Sequence, residues 1–97
     1  MSIRFAWDPN KAAINQRNHE GVTFEEAATV FRDPLAYIFD DEWHSDREFR
    51  ELIIGYSSRN RLLIVSFTER DEVIRIISAR KANGGEREDY ENAQTSR

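Results

Sequence analysis

The chain has 97 residues, of which 39% are hydrophobic and 33% charged, with a net charge of -4 and no cysteine. That length supports one domain whose core buries roughly 60 to 70% of the unfolded surface, and the lack of cysteine excludes disulfide stapling and thiolate metal sites. No apolar run approaches membrane-spanning length and the start, MSIRFAWDP, lacks the basic-then-apolar pattern of a secretory leader, so a cytoplasmic protein is expected.

The two histidines, His19 and His44, stand apart without a companion ligand motif, so neither a metal nor another cofactor is implied. Net acidity argues mildly against nucleic-acid binding, because phosphate affinity comes from clustered Lys and Arg. The charge is uneven, however. Residues 20–51 hold ten acidic and three basic side chains, whereas residues 59–87 hold seven basic and four acidic ones.

In chain order, Ile3, Phe5 and Trp7 alternate with Arg4 and Ala6 and predict a strand with one buried face. Asp8 is a side-chain N-cap and Pro9 suits the first helical position, so a helix is expected over 9–18, stopped by Gly21. Thr23 and Glu26 have capping-box spacing, and Phe24, Ala27, Ala28 and Phe31 fall at i, i+3, i+4 and i+7, which predicts a second helix ending at Asp33-Pro34. LAYIF reads as a short strand and the acidic DDEWHSD as a loop, in which Trp43 is an exposed anchor and His44 a solvated side chain. FRELIIGY, RLLIVSFT and VIRIISA are β-branched and aromatic runs separated by SSRN and ERDE, the pattern of an antiparallel meander. Asn83 and Glu86 repeat the cap spacing before a last helix reaching about Gln94, with 95–97 frayed. The expected fold is α+β in the order β-α-α-β-β-β-β-α, with helices covering one face of an antiparallel sheet in roughly two layers.

FAWDPNKAAINQRNHEGVTFEEAATVF, SSRNRLLIVSFTER and RIISARKA followed by GEREDY resemble the BrnT toxins of bacterial type II toxin-antitoxin modules, in order and from Phe5 to Tyr90. The resemblance implies a RelE-like fold, an endoribonuclease that stops translation, and neutralisation by a BrnA-like ribbon-helix-helix antitoxin through which alone the chain reaches operator DNA. The chain departs from the family pattern at Asn18 and at Asn83-Gly84-Gly85, where further positive charge is usual.

Metal-free RNA cleavage needs a base for the 2′-hydroxyl, a cation for charge developing at phosphorus and an acid for the departing 5′-oxygen. Arg80, where the last strand runs out, is the first candidate for a bidentate phosphate clamp; otherwise it is a structural partner of Glu26 or Glu86. Strict alternation places Arg75 on the opposite face, as a structural arginine paired at the rim. Arg61 begins its strand and is a second catalytic candidate, while Arg59 in the turn is either solvated or steers phosphate. Glu86 and Tyr90 share one face of the last helix, as proton acceptor and donor or as helix cap and core plug. His19 is either a base or the C-terminal neighbour of the first helix dipole. Lys11, badly placed for that dipole, and Lys81, in the basic segment, complete the expected RNA contacts. The alternative function is a non-catalytic toxin-like module or co-repressor that only binds a BrnA-like partner.

Overall fold

A computed structural model of the chain describes residues 3–41 and 49–95. Strand β1 (Arg4–Ala6) leads into helix α1 (Pro9–Asn18), whose N-cap is Asp8: its carboxylate accepts from the backbone N–H of Asn10 at 2.8 Å and of Lys11 at 3.4 Å. At the other end the Gly21 N–H donates to the Gln16 carbonyl at 3.0 Å. Glu20 (φ 55°) and Gly21 (φ 75°) are both left-handed, so the expected stop begins one residue early, on a side chain that tolerates it poorly. Helix α2 (Phe24–Thr29) is capped by Thr23 and continues into one 3-10 turn, Val30–Arg32, that ends at Asp33-Pro34.

Strands β2 (Tyr37–Asp40), β3 (Glu51–Tyr56), β4 (Leu62–Arg70) and β5 (Val73–Lys81) form the antiparallel meander, and α3 (Gly84–Thr95) closes the chain. The sheet order is β1-β5-β4-β3-β2. The sheet is nevertheless mixed rather than wholly antiparallel, because β1 lies parallel to β5, with Phe5 beside Ile74. That alignment sets Phe5 against Phe31 on the helix-covered face, ring centroids 5.3 Å apart. Residues 96–97 lie outside the described residues, as do Trp43 and His44.

The main core joins α1 and α2 to one sheet face through Phe24, Ala27, Val65, Phe67 and Ile76. A second cluster, Ile54, Leu62 and Tyr90, lies on the other face beneath α3. The two-layer expectation is therefore corrected: helices flank both faces, and α3 covers only the end of its own. The reason is the parity of β3, which turns Ile53 toward the first core and Ile54 toward the second.

The register of β4 against β5 corrects a second expectation. Ser66 pairs with Ser78 but Phe67 pairs with Ile76, so Ile77 is an extra residue in β5. Across this bulge the parity of β5 flips. Ala79 joins Ile74 and Ile76 in the first core, and Arg80 stands opposite Ile64 while Arg75 stands opposite Thr68. Ile64, Ser66 and Thr68 share one face of β4, and directly opposed residues share a face, so Arg75 and Arg80 lie on the same side of the sheet.

Two polar joints fix the layers. The Asn15 amide donates to the carbonyls of Ala79 (2.8 Å) and Val22 (3.1 Å) and accepts from the Ala79 N–H (3.0 Å), taking the place of a neighbouring strand where β1 has ended. The Asp33 carboxylate accepts from the N–H groups of Leu35 (2.9 Å) and Tyr56 (2.8 Å) and from the Tyr90 hydroxyl (2.8 Å). Its close approach needs Gly55, where an added Cβ would lie 2.8 Å from the Ala36 side chain and 3.0 Å from Asp33 Oδ2.

Candidate active site

The open sheet face beside α3 holds a cleft of about 460 Å³. Leu52, Ile64, Ser66 and Ser78 line it, with Phe39 on one wall and Arg80, Glu86 and Asp89 on the other. Arg80 reaches it from the end of β5. The Asn83-Gly84-Gly85 turn brings Glu86 back over it: the Asn83 N–H donates to Glu86 Oε1 (2.9 Å) and the Glu86 N–H to Asn83 Oδ1 (2.8 Å), a reciprocal helix cap. The Glu86 carboxylate also accepts two parallel bonds from Arg80, both 2.7 Å.

This pairing fixes both charges. The Arg80 guanidinium, ahead of the Asn83 N–H, holds the Glu86 carboxyl below its ordinary range despite burial. Glu86 in turn raises the Arg80 pKa further, so the guanidinium is permanently charged. Arg80 NH1 also donates to the Lys81 carbonyl at 3.3 Å. Among the described residues its Nε–H has no partner and 42% of the side chain is exposed, so Arg80, which lines the cleft, keeps donors to offer an anion. Clamp and pair, the two readings of Arg80, are compatible: the carboxylate occupies one edge of the fork and leaves another.

The other expected site residues separate into three places. Arg61 lies on the α2 side of the sheet, where its guanidinium forks onto the buried Glu26 carboxylate (Nε to Oε2, 2.9 Å; NH2 to Oε1) and NH1 donates to the Glu20 carbonyl at 3.3 Å. Arg61, then the Ser57 hydroxyl at 2.7 Å, outweighs burial and holds Glu26 ionised. Arg61 and Arg80 therefore do not converge. Arg59 is exposed in the adjoining turn, and Lys81 pairs with Glu20 at 3.1 Å on the same helix-bearing side. Tyr90 is buried against Tyr56, ring centroids 5.5 Å apart, and its hydroxyl pKa is pushed up to about 12 by burial and by the bond to Asp33. That geometry makes it a core residue that anchors α3.

Lys11 and His19 do come together. They line a smaller cleft of about 200 Å³ between α1 and the outer edge of β5, with Asn18 and Ile77. Ser78 lines both this cleft and the larger one, so the two meet around the bulge. Among the described residues no group of three or more His, Asp or Glu is gathered to hold a metal ion, and no helix is long and apolar enough to cross a membrane.

A family model described as the ribonuclease toxin BrnT of type II toxin-antitoxin systems matches residues 7–86. The chain belongs to the BrnT family. As a BrnT protein it is a ribonuclease toxin of a type II toxin-antitoxin system, with RNA as substrate and an antitoxin as partner. The fold is similar to the 1.1 Å crystal structure of the Brucella abortus ribonuclease toxin BrnT, with a TM-score of 0.66 and 22% identity over 84% of this chain and 99% of that one. The comparison with curated proteins gave no match.

Sequence alone does not single out several residues that shape this candidate site. Ser66 and Ser78 floor the cleft where their strand neighbours are apolar, and two hydroxyls facing each other across a ladder were a readable signal only once the register was known. In sequence Asp33 signals only the end of a helix. The Asp33-to-Tyr90 bond, 57 residues apart in sequence, had no local signature.

Proposed function

We propose that this BrnT chain cuts RNA without a metal ion on the open face of the sheet, with Arg80 as the residue that clamps the scissile phosphate. The observation that carries the reading is the two-bond Arg80–Glu86 pair, which aims a charged guanidinium with donors still available into a half-open cleft. Preorganised donors of this kind stabilise charge that develops on phosphorus without reorganising during the reaction. Glu86 orients Arg80 rather than acting as base, since its oxygens already accept three hydrogen bonds.

His19 and Lys11, in the cleft that meets the larger one at Ser78, supply the groups for proton transfer and for neutralising a neighbouring phosphate. Arg59 and Lys81 steer RNA from the far end of the hairpins. Arg61 and Tyr90 act as supports, through Glu26 and Asp33. The antitoxin is a BrnA-like ribbon-helix-helix protein that holds the toxin inactive and binds operator DNA on its behalf.

Purified chain should cut RNA in the presence of a chelator. Arg80→Ala should lower the rate roughly 100-fold or more, the scale of removing one donor aimed at transition-state charge. An Arg80→Ala variant of full activity would refute the clamp. Expression without a partner should arrest growth as translation falls, and co-expression of a ribbon-helix-helix partner should restore it.

A further inference from the structure

We propose that Arg70 and Arg75, with Thr68 between them, form a second subsite for a backbone phosphate of the RNA, upstream along β5 from Arg80. The proposal rests on the reading that the open face is the RNA face, and it concerns how far along that face the strand is held.

The bulge at Ile77 creates the arrangement. With it, Arg75 stands opposite Thr68 on the open face, two ladder steps from Ser66 and Ser78, instead of being turned to the helix side. Arg70 stands opposite Val73 and shares that face. The three side chains line a recess of about 310 Å³ with Ala6, Val73 and Asp71. Parallel pairing with Val73 brings Arg4 to the same face.

The arginines of this recess differ from the others nearby. Arg61, Arg80 and Arg87 each donate to a side chain, and Lys81 is paired. Arg70 and Arg75 are exposed, and among the described residues neither side chain has a hydrogen bond or an ion pair, even with Asp71 in the same recess. Diagonal neighbours on adjacent strands lie about 7–8 Å apart, where like charges repel and weaken the hairpin. A phosphate between or beside them turns that repulsion into attraction, and the Thr68 hydroxyl is placed to donate to it. The turn Asp71-Glu72, left-handed at both residues (φ 54° and 66°), is the tight two-residue type that fixes Arg70 in register rather than letting it swing.

Arg75 and Arg80 are five residues apart on one strand, so at roughly 3.3 Å per residue their attachment points are about 15 Å apart. One phosphate cannot reach both. An RNA held at both places is several nucleotides long and runs over the Ser66 and Ser78 floor between them.

The test is the salt dependence of binding to a 12-nucleotide RNA blocked by 2′-O-methyl groups, read by fluorescence anisotropy. Each single-strand phosphate contact contributes about 0.7 to the slope of log Kd against log salt. The Arg70→Gln, Arg75→Gln double variant removes that one phosphate contact, so it should lower the slope by about 0.7 and weaken the long RNA several-fold, while binding of a dinucleotide is unchanged. Arg70→Lys, Arg75→Lys should restore most of the slope. Arg32→Gln, a cation of the 3-10 turn on the other face, should not move it.

An unchanged slope in the double Gln variant overturns the subsite and leaves cleavage at Arg80 standing. A chain that binds the long RNA with the full slope yet cuts no unblocked RNA overturns the cleavage reading and leaves the subsite standing. Failure of the unmodified chain to bind overturns the subsite outright.

Discussion

Asp33→Asn is the substitution that most directly probes how the site is held. Both carboxylate oxygens of Asp33 accept hydrogen bonds, Oδ1 from Leu35 and Oδ2 from Tyr56 and Tyr90. An amide can face its oxygen to only one side. Turned toward Tyr56 and Tyr90, it keeps those two bonds without their charge and sets its NH2 against the Leu35 N–H. Bonds to a charged group contribute about 1.5–3 kcal/mol each against about 1 for neutral ones, so the expected loss is about 2–3 kcal/mol. For a domain of this size that is a fall in Tm of roughly 10–20 °C. Thermal unfolding followed by circular dichroism at pH 7 measures it. Tyr90→Phe should cost less, about 1 kcal/mol, and the double variant should fall short of the sum by about 0.5 kcal/mol or more because the two share a bond.

The acid limb gives an independent check. Burial alone would raise the Asp33 carboxyl, but the Tyr56 and Leu35 N–H groups and the Tyr90 hydroxyl hold it below its ordinary value of 3.8. A carboxyl lowered in the folded state stabilises above its unfolded pKa and loses that contribution as pH falls through the folded value. The gap between Asp33→Asn and the parent chain should therefore be full above about pH 4 and narrow below it. A Tm within about 2 °C of the parent at pH 7, or a gap that widens in acid, would refute the account.

Three other outcomes follow from the geometry. Arg61→Ala should cost about 3–5 kcal/mol in urea unfolding by stranding the buried Glu26 carboxylate, whereas Glu26→Leu with Arg61→Met should recover most of that and keep RNA cleavage, because Arg61 acts as a support. Glu26, held low chiefly by Arg61, should lose its stabilising contribution as pH falls below its ordinary 4.5, and the paired apolar variant should show a flatter acid limb. Asn15→Leu should cost about 2–5 kcal/mol by orphaning the Ala79 N–H and carbonyl, with faster hydrogen exchange at the Ala79 amide as the local readout.

The caps and punctuation were legible because they are local. Asp8-Pro9, Thr23, Asp33-Pro34 and Asn83 with Glu86 each act within four residues, and each marks an element boundary within a few residues of where it falls. The pairing of β3, β4 and β5 is legible for the same reason, as short turns join these strands. The faces of β5 were not, because in VIRIISAR the isoleucines blur the alternation and only pairing with β4 shows that Ile77 is extra. A trace of the bulge was nevertheless present: Arg75, Ser78 and Arg80 are spaced three and then two, and a spacing of three inside a period-two strand signals an inserted residue. The Arg80–Glu86 pair was among the readings open from sequence, being only six residues apart. Arg61 with Glu26, Asn15 with Ala79 and Asp33 with Tyr90 span 35 to 64 residues, and partners at that range are set by topology.

The amide of Asn15 also bears on how the chain avoids its own copies. Past Ala6 the outer rim of β5 has no strand beside it among the described residues, and a run such as Ile76-Ile77-Ser78-Ala79 with open backbone groups is the kind of template on which a second molecule adds a strand. A single side chain from α1 stoppers that rim at Ala79 from both its donor and its acceptor side. Docking of one ten-residue helix is thus also the step that takes the nascent chain out of the pool able to pair edge to edge. Substitutions that loosen α1 should therefore be seen first as loss of soluble protein, before loss of toxicity.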